Sequence, residues 1–166
     1  MSGAISALRA GVAEQLRRAG LNAVTTMEPD RAARWRSPVV AVGLKKLDCA
    51  PGGFQDYLGL RRDPETGREQ EVYGREAEIT LALDVFAPVD GGEGPCLETA
   101  ETVIEELTCR GAAGLAALEL EVGRTEFLEK TGLYRAQASC RCKAWLVAAA
   151  DSGGEFVDFV VKGRVL

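Results

Sequence analysis

The chain has 166 residues, of which 46% are hydrophobic and 27% are charged, and its formal net charge is −5. This length and composition are typical of one soluble globular domain, so we expect a single domain over residues 1–166. The acidic balance argues against duplex nucleic acid as the main partner, because phosphate binding needs a basic face.

The N-terminal third of the chain predicts one helix and two strands. Apolar residues at spacings of three and four over residues 4–19 are typical of an amphipathic helix, with Gly20 well placed to end it. A short strand at residues 21–26 follows, then a polar connection at 27–37. Residues 38–47 are expected to form the next strand.

A long excursion occupies residues 48–74. Its centre, Asp63-Pro64-Glu65-Thr66-Gly67, is a turn sequence, because Pro presets one dihedral and Gly accepts a positive φ. We interpret the flanking segments, 54–62 and 68–73, as the strands of a β-hairpin projecting from the sheet. A disordered loop is the alternative for the isolated monomer, since long connections are often mobile.

The rest of the chain alternates strands with one more helix. Residues 75–87 place Ala77, Ile79 and Leu81 on one side and Glu76 and Glu78 on the other, as in a strand with one buried face. The same reasoning predicts a helix at 95–110 and strands at 117–127, 134–146 and 156–165. The predicted fold is therefore α+β, with a mostly antiparallel sheet of about five to six strands packed against two helices.

Neither catalytic residues nor a cofactor or metal site is predicted. The chain contains no histidine, which removes the commonest general base and the usual zinc ligands. Cys140 and Cys142 fall on the apolar side of a predicted strand, which favours a role as small core residues. The acidic residues are scattered over helix and strand surfaces, so we expect a protein that is not an enzyme.

The five cysteines and the absence of a recognisable secretory signal favour a reducing cytosol. No apolar run approaches the roughly 20 residues that span a bilayer, so no membrane partner is expected.

Several segments resemble the tail terminator, or tail completion (neck), proteins of long-tailed phages and prophages. The similar segments are LRRAGLNAV, PVVAVGLKKLD, PGGFQDYLG with DPETG, YGREAEITLALDVFAP, CLETAETVIEEL and FVDFVVKGRV. The resemblance implies a structural virion protein that forms a homo-hexameric ring at the head-proximal end of the tail tube. Such a ring stops tube polymerisation and joins the tail to the head connector.

The same resemblance implies partners, a location and a subunit interface. The partners would be further copies of the chain, the tail tube protein and the head–neck connector protein, with DNA passing through the ring without specific binding. The location would be the host bacterial cytoplasm during assembly and the virion tail afterwards. The expected subunit-interface residues lie in the excursion: Phe54, Tyr57, Leu58, Leu60, Arg61, Arg62, Arg68, Glu71 and Tyr73. Aromatic and Arg side chains are the usual energetic centres of interfaces.

Three alternatives remain open from the sequence. The chain could be another tail-tube or neck component, or a small-ligand or peptide-binding α+β domain that uses a concave sheet face. A hydrolase or nuclease with a carboxylate-bound metal is the least favoured, because its acidic residues would have to converge from distant segments.

Overall fold

The computed structural model describes residues 3–32, 34–51, 56–150 and 156–163, the last of these by its backbone. Three α-helices, a 3₁₀ turn and seven strands lie within these ranges. In chain order they are α1 (Ala4–Arg18), β1 (Ala23–Val24), α2 (Pro29–Ala32), β2 (Val39–Pro51), β3 (Tyr57–Arg62), β4 (Glu69–Pro88), the 3₁₀ turn (Val89–Gly91), α3 (Gly94–Arg110), β5 (Ala117–Leu128), β6 (Leu133–Ala150) and β7 (Phe156–Gly163).

All seven strands belong to one sheet, which has two halves along the direction of its strands. One half has the strand order β1-β2-β4-β6-β5, and in the other half β3 pairs with β4 and β7 pairs with β6. Strand β1 runs parallel to β2, and every other pair is antiparallel. The 20-residue β4 and the 18-residue β6 run through both halves and hold them together.

The hydrophobic core lies between the sheet and the two long helices, which cover one face only. Strand β4 contributes the alternating row that begins at Ala77 and ends at Ala87, and β6 contributes Cys140 and Cys142. The apolar stripes of the helices are fully or almost fully buried against these rows: Leu8, Val12 and Leu16 from α1, and Cys96, Ala100, Val103 and Leu107 from α3. Removing this apolar surface from water is the main stabilising term of the fold.

Both long helices end where the sequence predicts. Gly20 has a φ of +88° directly after α1, and its N–H donates to the carbonyl of Arg17. Pro95 lies in the first turn of α3, where its missing N–H costs nothing, and Gly111 follows the last turn with a φ of +71°. No helix in the described ranges is both long and apolar enough to cross a membrane.

The predicted α+β class is confirmed, and several details differ, among them the bounds of β1 and β6. The sheet has seven strands where five or six were expected, and the connection predicted at 27–37 contains the one-turn helix α2. Strand β2 continues to Pro51, four residues past the predicted end, because its exposed second half pairs with β4. Residues 164–165 of the last predicted strand lie outside the described part of the chain.

The predicted hairpin is present, and what differs is how it joins the sheet. Its second strand is the beginning of β4, which continues without a break from Glu69 into the core. Moreover, Glu71–Tyr73 pair with β6 on their other side, at Ala150–Ala148. The hairpin is therefore an extension of the central sheet and not a separate projection from it.

Candidate protein-binding arm

The hairpin formed by β3 and the first part of β4 extends past the helix layer, and we call residues 57–73 the arm. The buried row of β4 ends at Ala77, while β3 pairs with β4 from Tyr73 to Glu69. At about 3.3 Å per strand residue, Glu69 lies about 26 Å beyond Ala77. One face of the arm therefore continues the helix-covered face of the sheet without a helix above it.

The tip of the arm is a well-ordered turn. The N–H of Gly67 donates to the carbonyl of Asp63 over 2.8 Å, and the N–H of Asp63 donates to that of Arg68 over 2.8 Å. The carboxylate of Asp63 accepts from the N–H of Glu65 and from the Thr66 hydroxyl. These hydrogen bonds, first that of Thr66, hold the pKa of Asp63 below its usual value. Gly67 takes the positive φ of +69° that the sequence predicts for it.

The base of the arm is fixed by side-chain contacts. The guanidinium of Arg75 pairs with the carboxylate of Asp56 at 2.8 Å, across the start of the hairpin. The rings of Tyr57 and Tyr73 meet edge to face, with centroids 5.6 Å apart. Leu58 packs over Gly74, where an added Cβ would lie 2.6 Å from Leu58 Cδ1. The arm is thus oriented before any partner binds, which lowers the entropy cost of binding.

Large apolar side chains are exposed on this ordered arm. Leu60 is 61% exposed, and Tyr57 and Leu58 are also exposed. The pairing of Tyr57 with Tyr73 and of Leu60 with Glu71 places these four residues on the face that continues the helix-covered side. An apolar patch with a charged rim, held on a rigid element, is the usual composition of a protein-binding surface.

The structure places eight of the nine predicted interface residues on the arm, and Phe54 lies outside the described residues. Three of the predicted polar partners already have intramolecular contacts. Arg61 donates to Gln70, Arg62 donates to the carbonyl of Gly67, and Glu71 accepts from the Tyr73 hydroxyl over 2.6 Å. Arg68 is exposed at the end of the turn. Their role in an interface between subunits stays a prediction.

The sheet face opposite the helices carries rows of charged side chains. Arg141 on β6 bridges Glu78 on β4 at 3.1 Å and Glu119 on β5 at 2.8 Å. In the next row Lys143 pairs with Glu76 at 2.9 Å. These pairs alternate in sign across the sheet, so they largely neutralise each other, and each exposed pair adds little stability.

A shallow depression of about 310 Å³ lies on this face, beside those rows. Its lining residues are Lys45, Ala82, Asp84, Glu121, Gly123, Gln137, Ala138 and Ser139. Asp84 is the half-buried acid at its edge, and burial raises the pKa of Asp84 against the opposing charges of Arg135 and Lys45. The charged side chains that line the depression carry both signs: Lys45, Asp84 and Glu121.

The cysteines divide into core and surface residues. Cys96, Cys140 and Cys142 are buried, and Cys49 and Cys109 are exposed. The Cys140 thiol and burial both raise the pKa of Cys142, so this thiol stays protonated in the core. Within the described ranges, no three Cys, Asp or Glu side chains are grouped so as to hold a metal ion.

Comparison with known proteins finds a partial similarity to a mitochondrial protein. No family model matches the chain. Over 83 residues, which are 48% of this chain, it is 41% identical to the mitochondrial import inner membrane translocase subunit TIM54 of Cryptococcus neoformans var. neoformans serotype D, in strains JEC21 and B-3501A. The chain spans about 17% of the length of these curated relatives.

This similarity contradicts the predicted phage function. The matched protein is a mitochondrial translocase subunit and not a phage tail protein, so the predictions of a tail terminator, of a virion component and of a tail-tube ring are corrected. The resemblance behind them was one of element order and segment character. Such features are shared by α+β domains of unrelated function, because an arrangement of strands and helices does not determine what a domain does.

Proposed function

We propose that this chain is a non-enzymatic assembly domain that binds further copies of itself through the arm. The observation that carries the proposal is the exposed apolar pair of Tyr57 and Leu60, which share one face of a hairpin that is already ordered. Apolar side chains on a preformed surface gain most of their burial energy on binding, because little conformational entropy is lost.

Charge supports the same conclusion. The rim of the arm contains both signs, with Arg61, Arg62 and Arg68 on one strand or in the turn and Glu69 and Glu71 on the other. A surface with both signs can match a second copy of itself, whereas a surface of one sign would repel it.

The test removes the apolar side chains from the arm without cutting the sheet. We expect the double variant Tyr57→Ser/Leu60→Ser to dissociate at concentrations where the natural chain self-associates, because the loss of two interface anchors commonly weakens binding at least 100-fold. Sedimentation velocity over a concentration series measures the change. Leu97→Ser is the matched control, since Leu97 is an exposed apolar residue on α3, away from the arm.

Circular dichroism should show an unchanged fold for both variants. Unchanged self-association of the arm variant, or equal losses in the arm variant and in Leu97→Ser, would contradict the proposed role of the arm.

The partial similarity to a translocase subunit favours a second candidate, in which the partner is a different protein. The arm would then bind another subunit of an import translocase. The tagged chain, incubated with detergent-solubilised mitochondria of Cryptococcus neoformans, would recover named translocase subunits that the Tyr57→Ser/Leu60→Ser variant does not. Recovery of no translocase subunit would remove this candidate.

A further inference from the structure

Two strands of the helix-covered half have an open backbone edge. Strand β1 pairs only with Val40 and Ala41 of β2, and Arg9 of α1 donates to the carbonyl of Val42, so the outer edge of β2 is open from Gly43 to Pro51 in the described chain. At the opposite side of the sheet, β5 pairs with β6 alone. Open edges present unpaired N–H and C=O groups that can add a further strand.

Both edges also expose apolar side chains. Leu44 and Leu47 on β2 are exposed, with Leu44 at 42%, and Leu118 and Val122 on β5 are exposed, with Leu118 at 49%. Exposed leucines on two open edges of the same sheet are unusual for an isolated monomer, because such edges are normally short, covered or purely charged.

The charges on the two edges are opposite and lie at the same level of the sheet. Lys45 and Lys46 lie on the β2 edge, and Glu119 and Glu121 lie on the β5 edge. On neighbouring strands, Lys46 lies opposite Thr80, Thr80 lies opposite Arg141, and Arg141 lies opposite Glu119. Lys46 and Glu119 are therefore the two ends of one row across the sheet.

Strand direction permits a head-to-tail continuation. Because β2, β4, β6 and β5 alternate in direction, the β2 strand of a second copy in the same orientation would run antiparallel to β5. We propose that the β5 edge of one copy pairs with the β2 edge of the next, which extends the sheet from subunit to subunit and places Glu119 opposite the next copy's lysines.

Charge disfavours the two symmetric alternatives. Pairing of two β2 edges would bring lysines together, and pairing of two β5 edges would bring glutamates together, which is destabilising for directly opposed residues. A head-to-tail interface closes into a ring or continues as a filament, according to the rotation between copies.

Each edge contains a register irregularity next to this row. One lies between Leu44 and Lys46, and the other between Ala117 and Glu119. Bulges on edge strands prevent pairing with arbitrary strands. The two irregularities lie on opposite sides of the row that joins Lys46 to Glu119, so a partner strand would pair regularly only on the other side of that row at each edge.

Lys46 and Glu119 each form an ion pair within the chain, and these ion pairs must be shared with or replaced by contacts between subunits when the two edges meet. Lys46 contacts Asp48 at 2.7 Å, and this hydrogen bond and charge raise the pKa of Lys46. Glu119 contacts Arg141. Both pairs lie at the surface and are individually weak, so their exchange for contacts between subunits costs little.

This inference rests on the proposed self-association, and a charge-reversal experiment separates the two. The variants Lys45→Glu/Lys46→Glu and Glu119→Lys/Glu121→Lys each have two edges of like charge, so each alone should self-associate at least 10-fold more weakly than the natural chain. An equimolar mixture of the two should regain association, because every β2 edge then finds an oppositely charged β5 edge. Glu101→Lys/Glu105→Lys on the exposed face of α3 is the matched control and should change nothing.

Sedimentation velocity at fixed ionic strength measures the self-association of each variant and of the mixture, and circular dichroism verifies that each variant is folded. Unchanged association of both charge variants, or a mixture that stays dissociated, would overturn edge pairing. If the Tyr57→Ser/Leu60→Ser variant alone dissociates, the arm is retained and edge pairing is rejected. If only the charge variants dissociate, edge pairing is retained and the arm is rejected. A natural chain that is monomeric throughout rejects both.

Discussion

Two glycines after the end of α3 have positive φ angles but different surroundings. Gly111 has a φ of +71° and a ψ of −171°, a conformation that is essentially restricted to glycine, and an added Cβ would lie 2.3 Å from the carbonyl oxygen of Leu115. Gly114 also has a positive φ, of +86°, but open space surrounds its Cα. A side chain at Gly114 would therefore add backbone strain alone, whereas a side chain at Gly111 would add both strain and a steric clash.

We expect Gly111→Ala to lower the free energy of unfolding by about 3 kcal/mol and Gly114→Ala by about 1 kcal/mol, since only the first adds a clash to the strain. Urea denaturation of both variants measures the difference. Equal losses would show that the Leu115 carbonyl moves away freely.

The half-buried Asp84 gives a second prediction for a single residue. Burial raises the pKa of Asp84 in the folded protein, and a carboxylate with a raised folded-state pKa destabilises the fold when it is ionised. This penalty is present above the folded-state pKa and vanishes below about pH 4, where the unfolded chain also binds the proton. Asp84→Asn should therefore raise Tm at pH 7 and have no effect below about pH 4.

Thermal unfolding over a pH series tests this, with Asp90→Asn in the exposed 3₁₀ turn as the control. A lower Tm for Asp84→Asn at pH 7 would mean that attraction by Lys45 and Arg135 outweighs the cost of burial.

Among the elements, the strands with one buried face were predictable and their extensions were not. The alternation in β4 from Glu76 to Ala87 specifies a strand with one buried face, and its row from Ala77 to Ala87 is buried as expected. Residues 69–75 lie beyond the helices, so the face that is buried in the rest of β4 is exposed at Glu69, Glu71 and Arg75. Their continuity with β4 depends on pairing with β3 and β6, which is a long-range property.

The same reason explains the other differences. Strand β2 continues through Lys45–Pro51 because β4 supplies the ladder, and not because the residues there alternate. Helix α2 is a single turn, too short for a helical period to be visible in the sequence. The arm was predicted as a hairpin from its turn residues alone, and the open edges were missed because strand order was unknown.

The burial of the cysteines predicts which thiols are accessible to reagents. The two cysteines of β6 face the core, as the alternation predicts, and Cys96 on α3 packs on the same side. We expect two of the five thiols, those of Cys49 and Cys109, to react with a water-soluble disulfide reagent in the folded protein, and all five in denaturant. A third fast thiol in the folded state would show that the helix layer opens readily at this part of the sheet.

For the whole molecule, the fold followed from the sequence more reliably than the function did. Apolar periodicity reports which faces are buried, and two helices on one face of a sheet is the natural solution. Function depends on what binds the exposed surfaces, and apolar periodicity does not report this. The similarity to a translocase subunit corrected the phage prediction, while the ordered arm and the two oppositely charged edges are properties of this chain itself.

The most direct test of self-assembly is native mass spectrometry of the natural chain over a wide concentration range, with the Tyr57→Ser/Leu60→Ser variant measured beside it. We expect multimers of the natural chain that increase with concentration and are absent for the variant. A natural chain that remains a monomer at every concentration would contradict self-assembly.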